Sequence, residues 1–391
     1  MQVYLDNNAT TRTDPAVVVQ MLPYFSEQFG NASSAHGLGG DVSGALRTAR
    51  RQVMTALGAA SEQEIMFCSG GTEANNTALH AALEAQPGRH EVITSAVEHA
   101  AILSPLAWAQ KTRGVKVHHI RVDAEGRLDL DAYRAALGPR TALVSLMWAN
   151  NETGTVFPVG ALAALAKEAG ALFHTDAVQA VGKLPIALAG TQIDMLSLSG
   201  HKFHGPKGIG ALYIRKGVKF QPLLRGGHQE RGRRAGTENV PAIVGLGAAA
   251  ARVDAAAWTR MAELRDRLEA GILAAVPGCQ VNGDLANRLP NTSSIAFEDV
   301  DGEAVLNNLA RAGIAASSGS ACTSGSMEPS HVLRAMRVPH NVLHGAVRFS
   351  LSSETTEAEI GYVLAVLPGV VAKARERSPL WADRLKAVSF A

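Results

Sequence analysis

The sequence predicts an α/β protein with a large domain built on a mainly parallel seven-stranded sheet, followed by a smaller α/β domain. Two observations carry this. Between residues 64 and 214, apolar runs of strand length alternate with stretches whose apolar residues recur at helical spacing, as strand–helix–strand units require. After Asn239 the pattern changes to alanine-rich helices, and at 391 residues the chain exceeds what one core usually serves.

The strands expected, in order, are 64–68, 91–95, 116–121, 141–147, 171–175, 193–198 and 209–214, with helices such as 162–169 between them. Helices at 240–253 and 258–276 lead away from this sheet, the second with Leu264, Leu268 and Ile272 along one stripe. The second lobe is expected to hold strands at 293–297 and 346–350 and helices at 302–311 and 356–374.

Bulk properties narrow the function. With 37 basic and 35 acidic residues, a net charge of +2 gives no footing for nucleic acid or an anionic membrane as main partner. No apolar stretch reaches spanning length, since the longest, 240–251, is interrupted by Pro241 and two glycines. The N-terminus lacks a basic region followed by an apolar one, so a cytoplasmic protein is expected. Cys68, Cys279 and Cys322 are far apart and form no CxxC pair, which argues against structural zinc and a disulfide framework. Cys68 reads as core and Cys279 as a turn residue after Pro277-Gly278.

Chemistry-bearing residues gather where strands are expected to end. In Ser197-Leu198-Ser199-Gly200-His201-Lys202-Phe203-His204-Gly205-Pro206-Lys207-Gly208, one lysine follows an apolar strand among small and hydrogen-bonding residues. A lysine held there can lose its proton and form a Schiff base with a carbonyl, while Ser199 and His201 can donate to a phosphate and Gly200 allows close backbone approach. Pyridoxal 5'-phosphate needs that combination, although the run alone also reads as a strand ending in a basic turn.

Upstream, Ile65-Met66-Phe67-Cys68-Ser69-Gly70-Gly71-Thr72-Glu73-Ala74-Asn75-Asn76 is an apolar strand that breaks at two glycines and enters a helix. Free N–H groups at Gly71 and Thr72, the helix dipole and the Thr72 hydroxyl favour an anion, though such residues also cap ordinary helices. In Ala171-Leu172-Phe173-His174-Thr175-Asp176-Ala177-Val178-Gln179, a buried strand ends in a carboxylate followed by an amide. Asp176 suits the ring nitrogen of pyridoxal phosphate, whose protonated form is the electron sink, and Gln179 suits the ring oxygen. An aspartate capping the next helix is the local alternative. Finally, Ser317-Ser318-Gly319-Ser320-Ala321-Cys322-Thr323-Ser324-Gly325-Ser326 has almost no bulk to anchor it, which predicts a mobile loop carrying one thiol.

These runs occur in the order found in a known family. The chain resembles the cysteine desulfurases of the NifS and IscS kind, within the class V aminotransferase group of fold type I pyridoxal phosphate enzymes. The resemblance runs nearly end to end. It starts at Tyr4-Leu5-Asp6-Asn7-Asn8-Ala9-Thr10-Thr11, Phe29-Gly30-Asn31-Ala32-Ser33-Ser34-Ala35-His36 and Val97-Glu98-His99. It continues through Asn150-Asn151-Glu152-Thr153-Gly154, the Asp176 and Lys202 runs and Arg234-Ala235-Gly236-Thr237-Glu238-Asn239. It closes on the Cys322 run and Arg348-Phe349-Ser350-Leu351-Ser352. Stretches such as Gly226-Gly227-His228-Gln229-Glu230-Arg231-Gly232-Arg233-Arg234 lean toward the nitrogen-fixation branch.

The resemblance implies a large cofactor-binding domain at 15–250 and a small domain of 1–14 and 251–391 that carries the cysteine loop. It implies removal of sulfur from L-cysteine, giving L-alanine and a persulfide on Cys322, with an iron–sulfur scaffold protein as acceptor and nitrogenase maturation as destination. Lys202 would hold the cofactor and move the α-proton, His99 would stack on the ring and assist, and Asn151 and Arg348 would hold the substrate carboxylate. The Cys322 persulfide could also serve as a transient iron–sulfur ligand. Thr237 follows an Arg-rich loop with nothing in it to fix it to its own lobe, and the family passes it to the partner's phosphate site, which implies a homodimer. Three alternatives stay open: a housekeeping desulfurase, another fold type I enzyme, such as an aminotransferase, selenocysteine lyase or kynureninase-like hydrolase, and a non-enzymatic scaffold or sulfur carrier that uses Cys322 without cofactor.

Overall fold

A computed structural model of the chain describes residues 1–318, 329–379 and 381. Its largest sheet has seven strands in the order β2-β8-β7-β6-β5-β3-β4. They are β2 (Ile65–Cys68), β3 (Glu91–Ser95), β4 (Lys116–Ile120), β5 (Thr141–Met147), β6 (Leu172–Asp176), β7 (Met195–Ser199) and β8 (Gly210–Ile214). All expected strands form, with ends shifted by a residue or two. Thus Asp176 and Ser199 each close a strand rather than follow it.

Strands β4, β3, β5, β6 and β7 run parallel, and β8 runs antiparallel to both β7 and β2. Two successive reversals return β2 to the direction of the others. The end of β2, with its glycines, therefore opens on the same edge as the ends of β3, β5, β6 and β7, which is where open α/β sheets bind ligands.

Alternation along the strands sends residues to two apolar layers, as the pleat dictates. Phe67, Ile93, Val144, Phe173 and Leu196 face one core cluster, covered in part by the helices Gly37–Ala56, Val159–Glu168 and Val240–Ala251. Met66, Cys68, Val92, Leu143 and Met195 face the other, against Gly71–Ala85 and Ala100–Arg113. Cys68 is thus core, as expected.

A third cluster gathers Leu264, Leu268, Ile295, Phe297, Val305, Val347, Phe349 and Leu367. It belongs to β9 (Cys279–Asn282), β10 (Thr292–Phe297) and β12 (Ala346–Ser350), an antiparallel sheet packed by the helices Ala255–Ala275, Gly302–Arg311 and Glu357–Arg375. The N-terminal β1 (Val3–Tyr4) pairs in parallel with β11 (Ile314–Ala315), and Val3 and Leu5 join this cluster. Cys279 opens β9 instead of sitting in a turn, because its backbone pairs with Phe297. Among the described residues no single helix is long and apolar enough to cross a membrane.

Candidate active site

A cavity of about 390 Å³ opens at the shared strand edge, lined by ten of the expected residues: Gly71, Thr72, His99, Asn151, Asp176, Gln179, Ser199, His201, Lys202 and Arg348. The folding reasons differ by residue. Gly70, at φ 154°, turns the chain from β2 into the helix Gly71–Ala85, whose first turn receives no side-chain cap. Its leading N–H groups are thereby left for an anion. A Cβ on Gly71 would lie 2.7 Å from Val178 Cγ2, so a larger residue there requires the Val178 side chain to shift.

Asp176 presents its carboxylate at the end of β6. Oδ1 accepts from Val178 N at 3.0 Å and Oδ2 from Asn75 Nδ2 at 2.6 Å, while turns rather than a helix follow. The capping alternative is thereby removed. Lys202, after a single turn of 3-10 helix (Gly200–Lys202), donates from Nζ to the carbonyls of Asn8 at 2.7 Å and Ala9 at 2.8 Å. His201 Nδ1 pairs with Thr10 Oγ1 at 3.1 Å, and burial followed by the nearby Lys202 charge pushes its pKa down to about 4. Such an imidazole stays neutral at physiological pH and can donate to a phosphate through one ring nitrogen.

His99 caps the helix Ala100–Arg113 by accepting from Ala101 N at 3.1 Å, which fixes its ring at the cavity wall. Arg348 is buried on β12, where Nη2 pairs with Asp6 Oδ1 at 2.6 Å and Nη1 donates to the Asn151 carbonyl at 3.0 Å. Its fork is therefore held by the N-terminal segment as well as facing the cavity. Glu152, beside it, is buried and shifted upward by that burial, with Ser330 Oγ donating to Oε2 at 2.5 Å.

Two expected residues lie elsewhere, and a third is not among the described residues. Gly200 packs behind the wall, where a Cβ would meet the Pro206 carbonyl oxygen at 3.0 Å and Leu246 at 3.2 Å. Cys322 lies outside the described residues. Thr237 is exposed and away from its own chain's cavity. The segment before it is not loose, contrary to expectation: buried Glu230 accepts from both terminal nitrogens of Arg50, at 2.7 and 2.8 Å, and from Phe67 N at 2.9 Å. Arg234 adds a pair with Glu73 at 2.9 Å, so the loop is held through Glu230 to the helix Gly37–Ala56 and β2, and through Glu73 to the start of the phosphate-type helix.

Sequence reasoning missed Asn8, Asn75, Glu98 and Lys183. Asn75 lines the cavity and pairs with Asp176, while its own Oδ1 is a buried atom without a partner among the described residues. A signal existed for Asn75, four residues after the glycine that starts its helix and so one turn inward. None existed for the others.

Glu98 is fully buried, with Oε1 accepting from Ser95 Oγ at 2.6 Å and Met147 N at 3.0 Å. Burial, joined by the Asp176 charge, pushes its pKa up to about 8. Because the folded value lies above the ordinary carboxylate value of 4.5, its contribution to stability is full below that pH and is lost as pH rises through about 8. Glu98→Gln is expected to fold, to keep the cofactor, and to flatten the decline between pH 4.5 and about 8, by about 1 °C of Tm for each kcal/mol in a chain of this length. Calorimetry across this range checks it; a wild-type slope retained in the variant would assign the decline elsewhere.

The cavity's donor set fits pyridoxal 5'-phosphate: an uncapped helix start for phosphate, a carboxylate for a protonated ring nitrogen, and an amine for an aldehyde. The chain belongs to the class V aminotransferase family, whose model (Aminotransferase class-V) matches residues 3–363. It is 64% identical to a cysteine desulfurase of Gluconacetobacter diazotrophicus, over 97% of this chain and 96% of that protein. To the cysteine desulfurase NifS of Azotobacter vinelandii it is 58% identical, over 97% of this chain and 95% of the other. Among solved structures, a NifS-like protein aligns with a TM-score of 0.89 at 38% identity, covering 95% of this chain and 100% of that one.

Proposed function

We infer that this cavity performs cysteine desulfuration. The chain is a cysteine desulfurase with pyridoxal 5'-phosphate as cofactor and L-cysteine as substrate. The observation that carries the site assignment is the convergence of Lys202, Asp176 and the start of the Gly71–Ala85 helix on one cavity.

When bound, the cofactor supplies an aldehyde for amino groups and a pyridinium that draws electrons from the substrate α-carbon. Gly71, Thr72, Ser199 and His201 would hold its phosphate, Asp176 its ring nitrogen and Gln179 its ring oxygen, with His99 against the ring. Lys202 Nζ would hold the aldehyde, and the same amine is placed to move the substrate α-proton. Arg348 and Asn151 orient the substrate carboxylate, a planar anion suited to a forked donor. The Cys322 thiolate then takes the substrate sulfur: an S–S bond forms as the C–S bond breaks, so cysteine plus thiol becomes alanine plus persulfide.

The wider setting follows from the relatives. Sulfur delivery to an iron–sulfur scaffold, with nitrogenase as the destination, fits the similarity to NifS, and a cytoplasmic enzyme fits that role. A transient iron–sulfur cluster held through the Cys322 persulfide belongs to the same proposal. The cluster around Val3, Leu5, Leu264 and Phe349 supports a division into 15–250 and 1–14 with 251–391, although Val332, Leu333, Met336 and Leu343 pack into the large-domain core. Offering L-cysteine to the yellow protein should yield alanine and, with reductant, sulfide; amino-group exchange with a keto acid instead would favour an aminotransferase.

Thr237, exposed and pinned beside the phosphate-type helix, supports a homodimer in which each chain completes the other's site. Lys202→Ala and Thr237→Ala chains, each impaired alone, should regain activity when co-expressed, because one mixed site combines two intact residues. An active monomer, or no gain on mixing, would remove the shared site.

A further inference from the structure

Lys183 sits four residues beyond Gln179 and is 6% exposed, yet among the described residues it has no carboxylate partner. Its Nζ donates to Gln179 Oε1 at 2.7 Å and to Asn8 Oδ1 at 3.1 Å. Burial, joined by the like charges of Lys202 and Arg348, pushes its pKa well below the usual lysine range. Its N–H groups thus meet two acceptors, one from each amide side chain.

That arrangement settles an orientation that an amide cannot set for itself, since its two ends are alike in shape. Gln179 Oε1 faces the Lys183 amine, while Nε2 donates to the Asn8 carbonyl at 2.9 Å. Flipping the amide would set oxygen against the Asn8 carbonyl oxygen. Held as it is, Gln179 keeps its second Nε2 hydrogen for the cavity it lines. The Asn8 carbonyl is also where Lys202 Nζ rests, and the Asn8 side chain is locked by Lys183, by Asn291 Nδ2 at 3.0 Å and by Thr292 Oγ1 at 2.8 Å.

We propose that Lys183 is a positioning residue for the reaction: it holds the Gln179 amide with an N–H toward the cofactor cavity and fixes Asn8 as the resting berth of Lys202. This rests on the reading that Gln179 and Lys202 address the cofactor. Lys183→Met keeps the length of the chain and removes both donors. It is expected to lower kcat about tenfold with KM for cysteine changed less than about twofold, and to weaken cofactor binding several-fold when stripped protein is titrated with pyridoxal phosphate. In a Gln179→Ala background the same change should add less than about twofold, because the two residues act as one unit. Lys183→Gln, which retains a donor, should recover part of the loss and carries the comparison should the methionine variant fail to fold. Wild-type kcat and cofactor affinity in both variants, or losses that multiply in the double variant, would overturn the proposal. If Lys202→Ala protein kept borohydride-reducible cofactor, the underlying reading would fail by a separate signal, and this proposal with it.

Discussion

Lys202→Ala should lose all measurable turnover and every trace of cofactor reducible by borohydride onto the protein. The loss should be at least about 10²–10⁴-fold from proton transfer alone, before covalent attachment is counted. Phosphate donors and Asp176 survive the change, so the cofactor should still bind, reversibly and with altered absorbance. Lys183 offers the sterner check, because it is a second buried amine close enough for its charge to be coupled to Lys202. Its hydrogen bonds to Asn8 and Gln179 turn it away from substitution for Lys202. A Lys202→Ala protein that makes alanine normally, with reducible cofactor on another peptide, would reassign the Schiff base.

Cys322→Ala should leave colour, dimerisation and substrate binding intact while sulfur transfer drops by about two or more orders of magnitude for want of a nucleophile. Stability should change by no more than about 0.5 kcal/mol, since Ser320, Ala321, Thr323 and Ser324 bring little apolar bulk to the position. The other thiols cannot stand in. Cys68 is buried behind the phosphate-type turn, donates to the Gly70 carbonyl at 3.4 Å, and has its pKa pushed up to about 12 by burial. Cys279 is also shifted upward and donates to the Val276 carbonyl at 3.0 Å. Both stay protonated at neutral pH, and the thiolate is the reactive form. Mass spectrometry after exposure to L-cysteine should therefore find added sulfur on the Cys322 peptide and on neither other. Wild-type desulfuration by Cys322→Ala would return the enzyme to a lyase that needs no protein thiol.

The site was legible where one local run carries both the element and its chemistry. Asp176 closes one apolar strand, Lys202 comes shortly after another, and the Gly70-Gly71 break announces a helix start, so a linear reading places all three at one sheet edge. What escaped it are contacts between distant runs. The Asn8 carbonyl joins Lys202 to Gln179, Asp6 engages Arg348 across 342 residues, and Arg50 grips Glu230 across 180, pairings for which composition and periodicity hold no signal. The reversal at β8 escaped for a related reason: an apolar run shows that a strand is buried, not which way it runs.

The Asn8 junction also has a bearing on how the protein is made. Residue 8 leaves the ribosome long before its partners, because its amide and carbonyl are claimed by Gln179, Lys183 and Lys202 and, further on, by Asn291, Thr292 and Ser350. Such contacts have very high sequence separation and form late, after loop closure has been overcome. The large sheet can assemble during synthesis while the lysine berth stays incomplete. Competence for chemistry thus arrives only when nearly the whole chain exists, so a nascent fragment that can already bind phosphate would still lack the setting in which its lysine works.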